Sequence, residues 1–437
     1  MNGSQKPQKT RLKFAAMVGV YFFGSLNDNF YRQCALLLAV AANITRLESY
    51  ILESFIMSLF ALPFVLFASY AGFLADRFSK RSVIIAARIF AVIAFIIGAV
   101  GLYLLNWPII IATIFILGLQ STIFSPAING TIPELYSDDY VVTANGIVRT
   151  VTNAAILLGI ASAGFVLDAD AKGAHGDIPI GRFLAAGFVL TGALTALVVS
   201  FFLPRFPAAS SEARFPLRAP WEAIVTLFST RRDPLLAISM FAKAFFWFAG
   251  SLQILIINPL GLKQFHLTKT HTSVLITVEL VGIAVGSLLA PVFAKGPRWH
   301  RVLAPSAAAM AGSMFAIALV PFLPVSTRTS IVVGSLALLG MSAGVFTIPT
   351  TSFVQTKPAP DLKGRMIAAS NLADFMGILL SGAVFYLLNL IGFRPSNCFA
   401  AEAVMVMAVA GWLMLVLPRV TANPDLSGGA GKESKNA

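Results

Sequence analysis

The chain has 437 residues, of which 57% are hydrophobic and only 12% charged, with a formal net charge of +13. Soluble domains carry roughly a quarter of charged residues, so this composition excludes an ordinary water-soluble enzyme. The apolar residues come in blocks of about 18 to 28, long enough to cross about 30 Å of hydrocarbon as helices. Unbroken blocks suit helices, which satisfy their own backbone, better than the alternating strands of a barrel.

In chain order, residues 1-13 are polar and basic (Lys6, Lys9, Arg11, Lys13) and are expected to stay on the cytoplasmic side. Six spans are then predicted at 14-41, 50-73, 82-104, 107-132, 141-167 and 182-203. A basic connection at 204-234 follows, carrying Arg205, Arg214, Arg218, Arg231 and Arg232. Its middle, Pro220 to Phe228, has helical apolar spacing that fits either a helix lying on the bilayer surface or an ordinary structured linker. Six further spans are predicted at 235-258, 271-294, 302-323, 329-350, 364-391 and 396-417. The tail at 418-437 reads as disordered. The fold class is therefore an all-α membrane protein of twelve transmembrane helices in two six-helix bundles, 14-203 and 235-417, with both termini cytoplasmic.

The charge distribution supports that topology. Roughly three times as many cationic residues fall on the predicted inner side as on the outer side. The basic excess is topological, and nucleic-acid binding is not expected. The first apolar block contains Asn27, Asp28, Asn29 and Arg32 and no small-residue cleavage site, so it is not a signal peptide. Cys34 and Cys398 both sit inside apolar spans and read as small buried hydrophobes, with neither disulfide nor metal spacing. No phosphate-cradling Gly-Lys loop and no His pair at metal spacing occurs, so neither a cofactor nor ATP-driven pumping is expected.

The halves repeat. Gly146, Asn153, Gly159, Ile160 and Gly164 of the fifth span share their mutual spacing with Gly364, Asn371, Gly377, Ile378 and Gly382 of the eleventh. Gly24 to Asn27 of the first span matches Gly250 to Gln253 of the seventh. Repeated halves fit transporters, in which two bundles rock about a central site.

The loop after the second span reads Gly72, Phe73, Leu74, Ala75, Asp76, Arg77, Phe78, Ser79, Lys80, Arg81. A Gly, an Asp four residues later and a basic cluster resemble the signature loop of the major facilitator superfamily, with Ser79 where that family usually has Gly. The equivalent loop of the second half, Phe293 to Gly296, lacks the Asp. The plain alternative is a positive-inside loop. As a latch, Gly72 would allow close contact, and Asp76 would accept from a helix N-terminus and nearby arginines. Within the superfamily, Phe22 to Phe30 with its Asn27-Asp28-Asn29 element resembles the first span of the bacterial lysophospholipid transporters. Pro133-Glu134-Leu135 with Thr143 to Gly146, Phe245 to Gly250, and Gly364 to Asn371 are similar to further segments of that group.

The resemblance implies a flippase-type transporter of the bacterial inner membrane. It would move lysophospholipids between leaflets by alternating access, with membrane lipids around it. Reacylation would fall to a separate acyltransferase / acyl-carrier-protein synthetase, because no such domain is fused here. Export of amphipathic drugs, import of a small polar solute, and a non-transporting partner of an acyltransferase are the alternatives.

Charged residues inside spans are costly and usually face a cavity or a partner. Those singled out are Asp28, Arg32, Arg88, Arg149, Lys243, Glu279 and Asp374. Asp28 and Arg32 share one face of the first span. Lys243 and Arg32 suit a phosphate, Asp28 and Glu279 an ammonium, and Asn27, Asn29 and Gln253 a glycerol, with Gln120 of the fourth span lining the same cavity. The rival is that these charges lock to one another. Arg88 and Arg149 are expected to join the Asp76 latch with Arg77, Lys80 and Arg81. Asp374 is open between latch, coupling site and internal pair. Phe residues crowd the first, second and seventh spans, where they line an acyl chain or simply face lipid.

Overall fold

The computed structural model describes residues 6–42, 44–132, 138–169, 179–205, 219–294, 296–358 and 362–422. Pro133-Glu134-Leu135, Arg214, Arg218 and residues 423–437 of the predicted tail lie outside them. The described residues are helical, without strands.

Thirteen α-helices occur among them. They are α1 (Lys6–Ala41), α2 (Arg46–Arg77), α3 (Lys80–Leu104), α4 (Trp107–Asn129), α5 (Asp138–Leu167), α6 (Ile180–Ser200), α7 (Ala219–Ser229), α8 (Pro234–Pro259), α9 (Lys269–Phe293), α10 (Leu303–Leu319), α11 (Val325–Thr356), α12 (Lys363–Leu390) and α13 (Pro395–Ala422). Among the described residues, eleven helical segments are long and apolar enough to cross a membrane. The 36-residue α1 is long enough but is not among them. Asn27, Asp28, Asn29, Arg32 and Gln33 crowd its middle and lower its apolar character. The short α7 falls inside the predicted linker, and residues 418–422, read from sequence as tail, continue α13.

Local chemistry sets several helix ends. Thr45 and Glu48 form a reciprocal capping box that starts α2. The Asn106 side chain accepts from Ile109 N, with Pro108 in the first turn of α4. Asp233 does the same for α8, accepting from Leu236 N at 3.1 Å. Leu105, in the left-handed region, closes α3.

The chain forms two compact units, Met1–Pro220 with Gly261–Val274, and Trp221–Leu260 with Leu275–Ala437. In the first, α1 packs on α5 and α6, α2 on α4, and α3 on α4 and α6. In the second, α8 packs on α12, and α10 on α11 and α13. The first core joins Met17, Val20, Ile84, Ala87, Phe124 and Ile128, with Phe30 stacked on Phe188 at 4.0 Å between centroids. One face of α3 stays bare, exposing Ile89, Phe90, Ile93, Ile96, Ile97 and Val100. An apolar stripe of that extent suits acyl chains as its solvent.

The repeat is visible in packing. A Cβ on Gly159 would lie 2.5 Å from Leu26 O, and one on Gly377 would lie 2.6 Å from Ala244 O. Gly377 and Ala244 stand 218 positions after Gly159 and Leu26, so each unit has the same glycine-mediated approach of its fifth span to its first. The motif match of Gly24–Asn27 with Gly250–Gln253 is offset from this register by about two helical turns. Short Gly-rich stretches align readily by composition, and backbone contact corrects that part of the sequence reading.

Candidate functional site

In the first unit the polar groups gather around Asp28. Its Oδ2 accepts from Ser121 Oγ at 2.8 Å and from Gln120 Nε2 at 3.4 Å, both on α4. Its Oδ1 is buried and has no protein partner. Helical spacing puts Arg32 one turn along, where it donates to Asn29 Oδ1 at 2.6 Å and lies 4.7 Å over the Phe60 ring. Asn29 donates back to Ser25 O at 2.8 Å. Asn27 points the other way and ties α1 to α6 by donating to Val189 O at 2.8 Å.

Arg88 belongs to this cluster. It is 3% exposed, sits 3.8 Å over the Phe124 ring and interacts electrostatically with Asp28 and Tyr21. Tyr21 in turn donates to Asn129, which donates to Ser125 Oγ at 3.2 Å. Two guanidinium groups therefore flank one carboxylate among helices α1, α3 and α4.

The loop residues are elsewhere. Asp76 and Arg77 are exposed at the end of α2, and Gly72 has open space beside its α-carbon. Arg77 lies 5.7 Å over Phe73, and Arg81 donates to Phe201 O at 2.6 Å. Lys80 is buried, its stem against Gly130. Arg149 is exposed on α5.

The second unit holds two separate groups. Lys243 Nζ pairs with Asp374 and also donates to Ser370 Oγ at 3.1 Å, joining α8 to α12. Gln253 Nε2 donates to Glu402 Oε1 at 3.1 Å, joining α8 to α13. Glu279 on α9 is 3% exposed and acts electrostatically on Glu402, and each keeps one oxygen without a protein partner. The structure thus brings Lys243 to Asp374, and Gln253 and Glu279 to Glu402.

Glu53 and Glu402, both fully buried, are absent from the sequence-derived set. The same signal that marked Glu279, an acid within an apolar block, applies to both. No group of three or more metal-ligating side chains occurs among the described residues.

Eleven apolar spanning segments, with buried ionisable clusters inside each unit, define a multi-pass membrane protein whose helices keep polar groups away from lipid. The chain belongs to the Major Facilitator Superfamily, whose pattern it matches over residues 17–382. It is 27% identical over 403 residues to the lysophospholipid transporter LplT of Photorhabdus laumondii, covering 90% of this chain and 92% of that one. It is 28% identical over 348 residues to LplT of Salmonella gallinarum, covering 76% and 78%. In fold it is similar to a D-xylose-proton symporter, with a TM-score of 0.71 at 14% identity over 92% of this chain and 98% of that one. A proton dependent oligopeptide transporter gives 0.72 at 13% identity over 94% and 99%.

Proposed function

We propose that this chain transports lysophospholipids, such as lysophosphatidylethanolamine, from the outer to the inner leaflet of a bacterial inner membrane by alternating access. With α1 counted as a twelfth span both termini lie on one side, and the basic excess on that side makes it the cytoplasmic one. The weak apolar character of α1 is the consequence of the polar residues that transport requires.

The observation that carries this reading is the buried Asp28 carboxylate, fixed by Ser121 and left with one unpartnered oxygen, in a chain related over nine tenths of its length to named lysophospholipid transporters. A carboxylate acceptor of this kind suits the ammonium of ethanolamine, and Arg32 and Arg88 beside it suit the phosphate. Lys243 and Asp374 act as an internal pair of the second unit rather than as free head-group ligands. Asp76, Arg77, Lys80 and Arg81 remain the proposed latch, with Gly72 giving room for close approach and Arg149 exposed on the same unit. Arg88 moves from that group to the Asp28 cluster. The flipped lipid would be reacylated by a separate acyltransferase / acyl-carrier-protein synthetase.

The test is accumulation of fluorescent lysophosphatidylethanolamine in proteoliposomes. Uptake by the native chain that Asp28→Asn abolishes supports the assignment. A folded native chain that leaves the lipid outside would refute it.

A further inference from the structure

We infer that Arg46, Tyr50 and Lys263 form a phosphate-recognition site of the first unit, distinct from the Asp28 cluster and suited to the phosphate of a lipid head group. The inference rests on the lysophospholipid reading and adds to it a second place where the head group is held.

The site starts from one aromatic ring. Tyr50 is 2% exposed, so its ring is fixed by its surroundings. Arg46, one turn earlier on α2, donates from Nε to the Tyr50 hydroxyl at 2.7 Å, and its guanidinium carbon lies 5.3 Å from the ring centroid. Lys263 Nζ lies 5.5 Å from the same centroid and donates to Ser49 Oγ at 3.0 Å. Both cations are exposed, although the ring beneath is covered.

Lys263 is held there by its own segment. It sits in the wide helical turn Leu260–Gln264 that follows α8. The segment is pinned a few residues on, where Asp168 accepts from Lys269 N at 3.1 Å and Thr270 N at 2.8 Å, and Lys269 Nζ donates to Leu167 O at 3.0 Å. A lysine on a pinned segment loses less freedom on binding than one on a free loop.

Charge decides what the site takes. Lys263 is attracted by the Glu53 carboxylate beneath it and, less strongly, repelled by Arg46 across the ring. Under them Ser49 Oγ contacts Glu53 Oε1 at 3.1 Å, and Glu53 is fully buried with Oε2 lacking a protein partner. An anion held between the exposed Arg46 and Lys263 would meet positive charge from both sides. A planar guanidinium and a compact ammonium beside it match the oxygens of a phosphate ester.

The experiment uses the full chain. Titration calorimetry with glycerophosphoethanolamine is run on the native protein and on Arg46→Gln/Lys263→Gln, with uptake of labelled lysophosphatidylethanolamine followed in parallel. The double variant is expected to bind about tenfold more weakly or worse, and to need a correspondingly higher lipid concentration for half-maximal uptake, with maximal rate within about twofold of native. Lys263→Arg, which keeps the charge, should retain native binding and exclude a folding defect as the cause. Equal affinity of native and double-variant protein would overturn the site. Inorganic phosphate binding as tightly as glycerophosphoethanolamine would assign it to free phosphate and overturn the head-group assignment. Binding that persists without lysophospholipid uptake by the native chain would remove the transport reading and leave the site supported.

Discussion

Asp28 on α1 accepts a hydrogen bond from the Ser121 hydroxyl on α4 at 2.8 Å, which fixes the direction of a carboxylate whose other oxygen has no protein partner. An amide in place of this carboxylate keeps its shape and an acceptor for Ser121, but loses the charge that Arg32 and Arg88 flank. Asp28→Asn should therefore lower lysophospholipid uptake and, because it leaves the buried Arg88 without its counter-charge, thermal stability as well. A hydrogen bond to a charged group contributes about 1.5–3 kcal/mol, so the loss is expected at about 10- to 100-fold. Ser121→Ala, which leaves the charge and removes only its orientation, should cost about threefold or less. Initial rates in proteoliposomes, read beside melting curves, separate the two effects. Equal losses in both variants would mean that packing rather than charge matters.

The Lys243–Asp374 pair predicts a different pattern, because each partner is buried and each is the other's counter-charge. Lys243→Gln alone strands the Asp374 carboxylate, and Asp374→Asn alone strands the ammonium. Breaking a buried pair from one side typically costs about 3–5 kcal/mol, whereas replacing both partners is far milder. Thermal unfolding of the solubilised protein should show two strongly destabilised single variants and a double variant, Lys243→Gln/Asp374→Asn, that recovers most of the loss. Additive losses would show that the pair is not coupled.

Much of this architecture was legible from hydrophobic blocks. The predicted spans 82-104 and 235-258 fall on Lys80–Leu104 and Pro234–Pro259 within two residues at each end. Where they fell short, as at 50-73 against Arg46–Arg77 or 329-350 against Val325–Thr356, the helix runs past its apolar part. Backbone hydrogen bonding continues into water, but hydropathy does not record it. The charged positions inside spans were legible for the same reason, since each is costly in hydrocarbon. Their partners were not. Whether Lys243 meets Asp374 or a ligand depends on which faces of α8 and α12 touch, and Arg88 joins the Asp28 cluster because the fold carries its guanidinium across to Gly24 of α1. Sequence position placed Arg88 with the basic loop; three-dimensional packing placed it about two helical turns inside.

Gly340 on α11 offers a test of close packing in the second unit. A Cβ there would fall on the Glu279 carbonyl oxygen and within 2.9 Å of Ile283 N, so α9 and α11 meet at backbone distance. Backbone atoms cannot turn aside as a side chain can. Gly340→Ala should destabilise the protein by about 1–3 kcal/mol, the range for forced overpacking. Gly334 on the same helix has open space beside it, so Gly334→Ala should be neutral or slightly stabilising. Because Gly340 backs onto the residue that carries the Glu279 side chain, transport should fall with stability in the first variant and stay intact in the second. Comparable melting temperatures for both variants would show that the helices separate at little cost.

Asp168 gives the pH-dependent prediction. It follows α5 and receives Lys269 N at 3.1 Å, Thr270 N at 2.8 Å and Thr270 Oγ1 at 2.5 Å, so one carboxylate caps the start of α9. Partial burial pushes its pKa up, but these hydrogen bonds together outweigh burial and hold it below the usual aspartate value. A carboxylate depressed in the folded protein contributes stability that is fully present above its unfolded pKa, about 3.9, and is lost as pH falls through the lower folded value. The cap should thus be intact at neutral pH and fail only in strong acid. Hydrogen exchange at the amides of Lys269 and Thr270 reads this directly. Native protein should protect them at pH 7 and pH 5 alike. Asp168→Asn keeps a neutral acceptor but loses the charge, and should expose them about tenfold or more at both values, in keeping with about 1–2 kcal/mol for a lost cap. Protection that fell already between pH 7 and pH 5 in the native chain would contradict a depressed carboxylate, and protection untouched in Asp168→Asn would mean that α9 is started by something other than this cap.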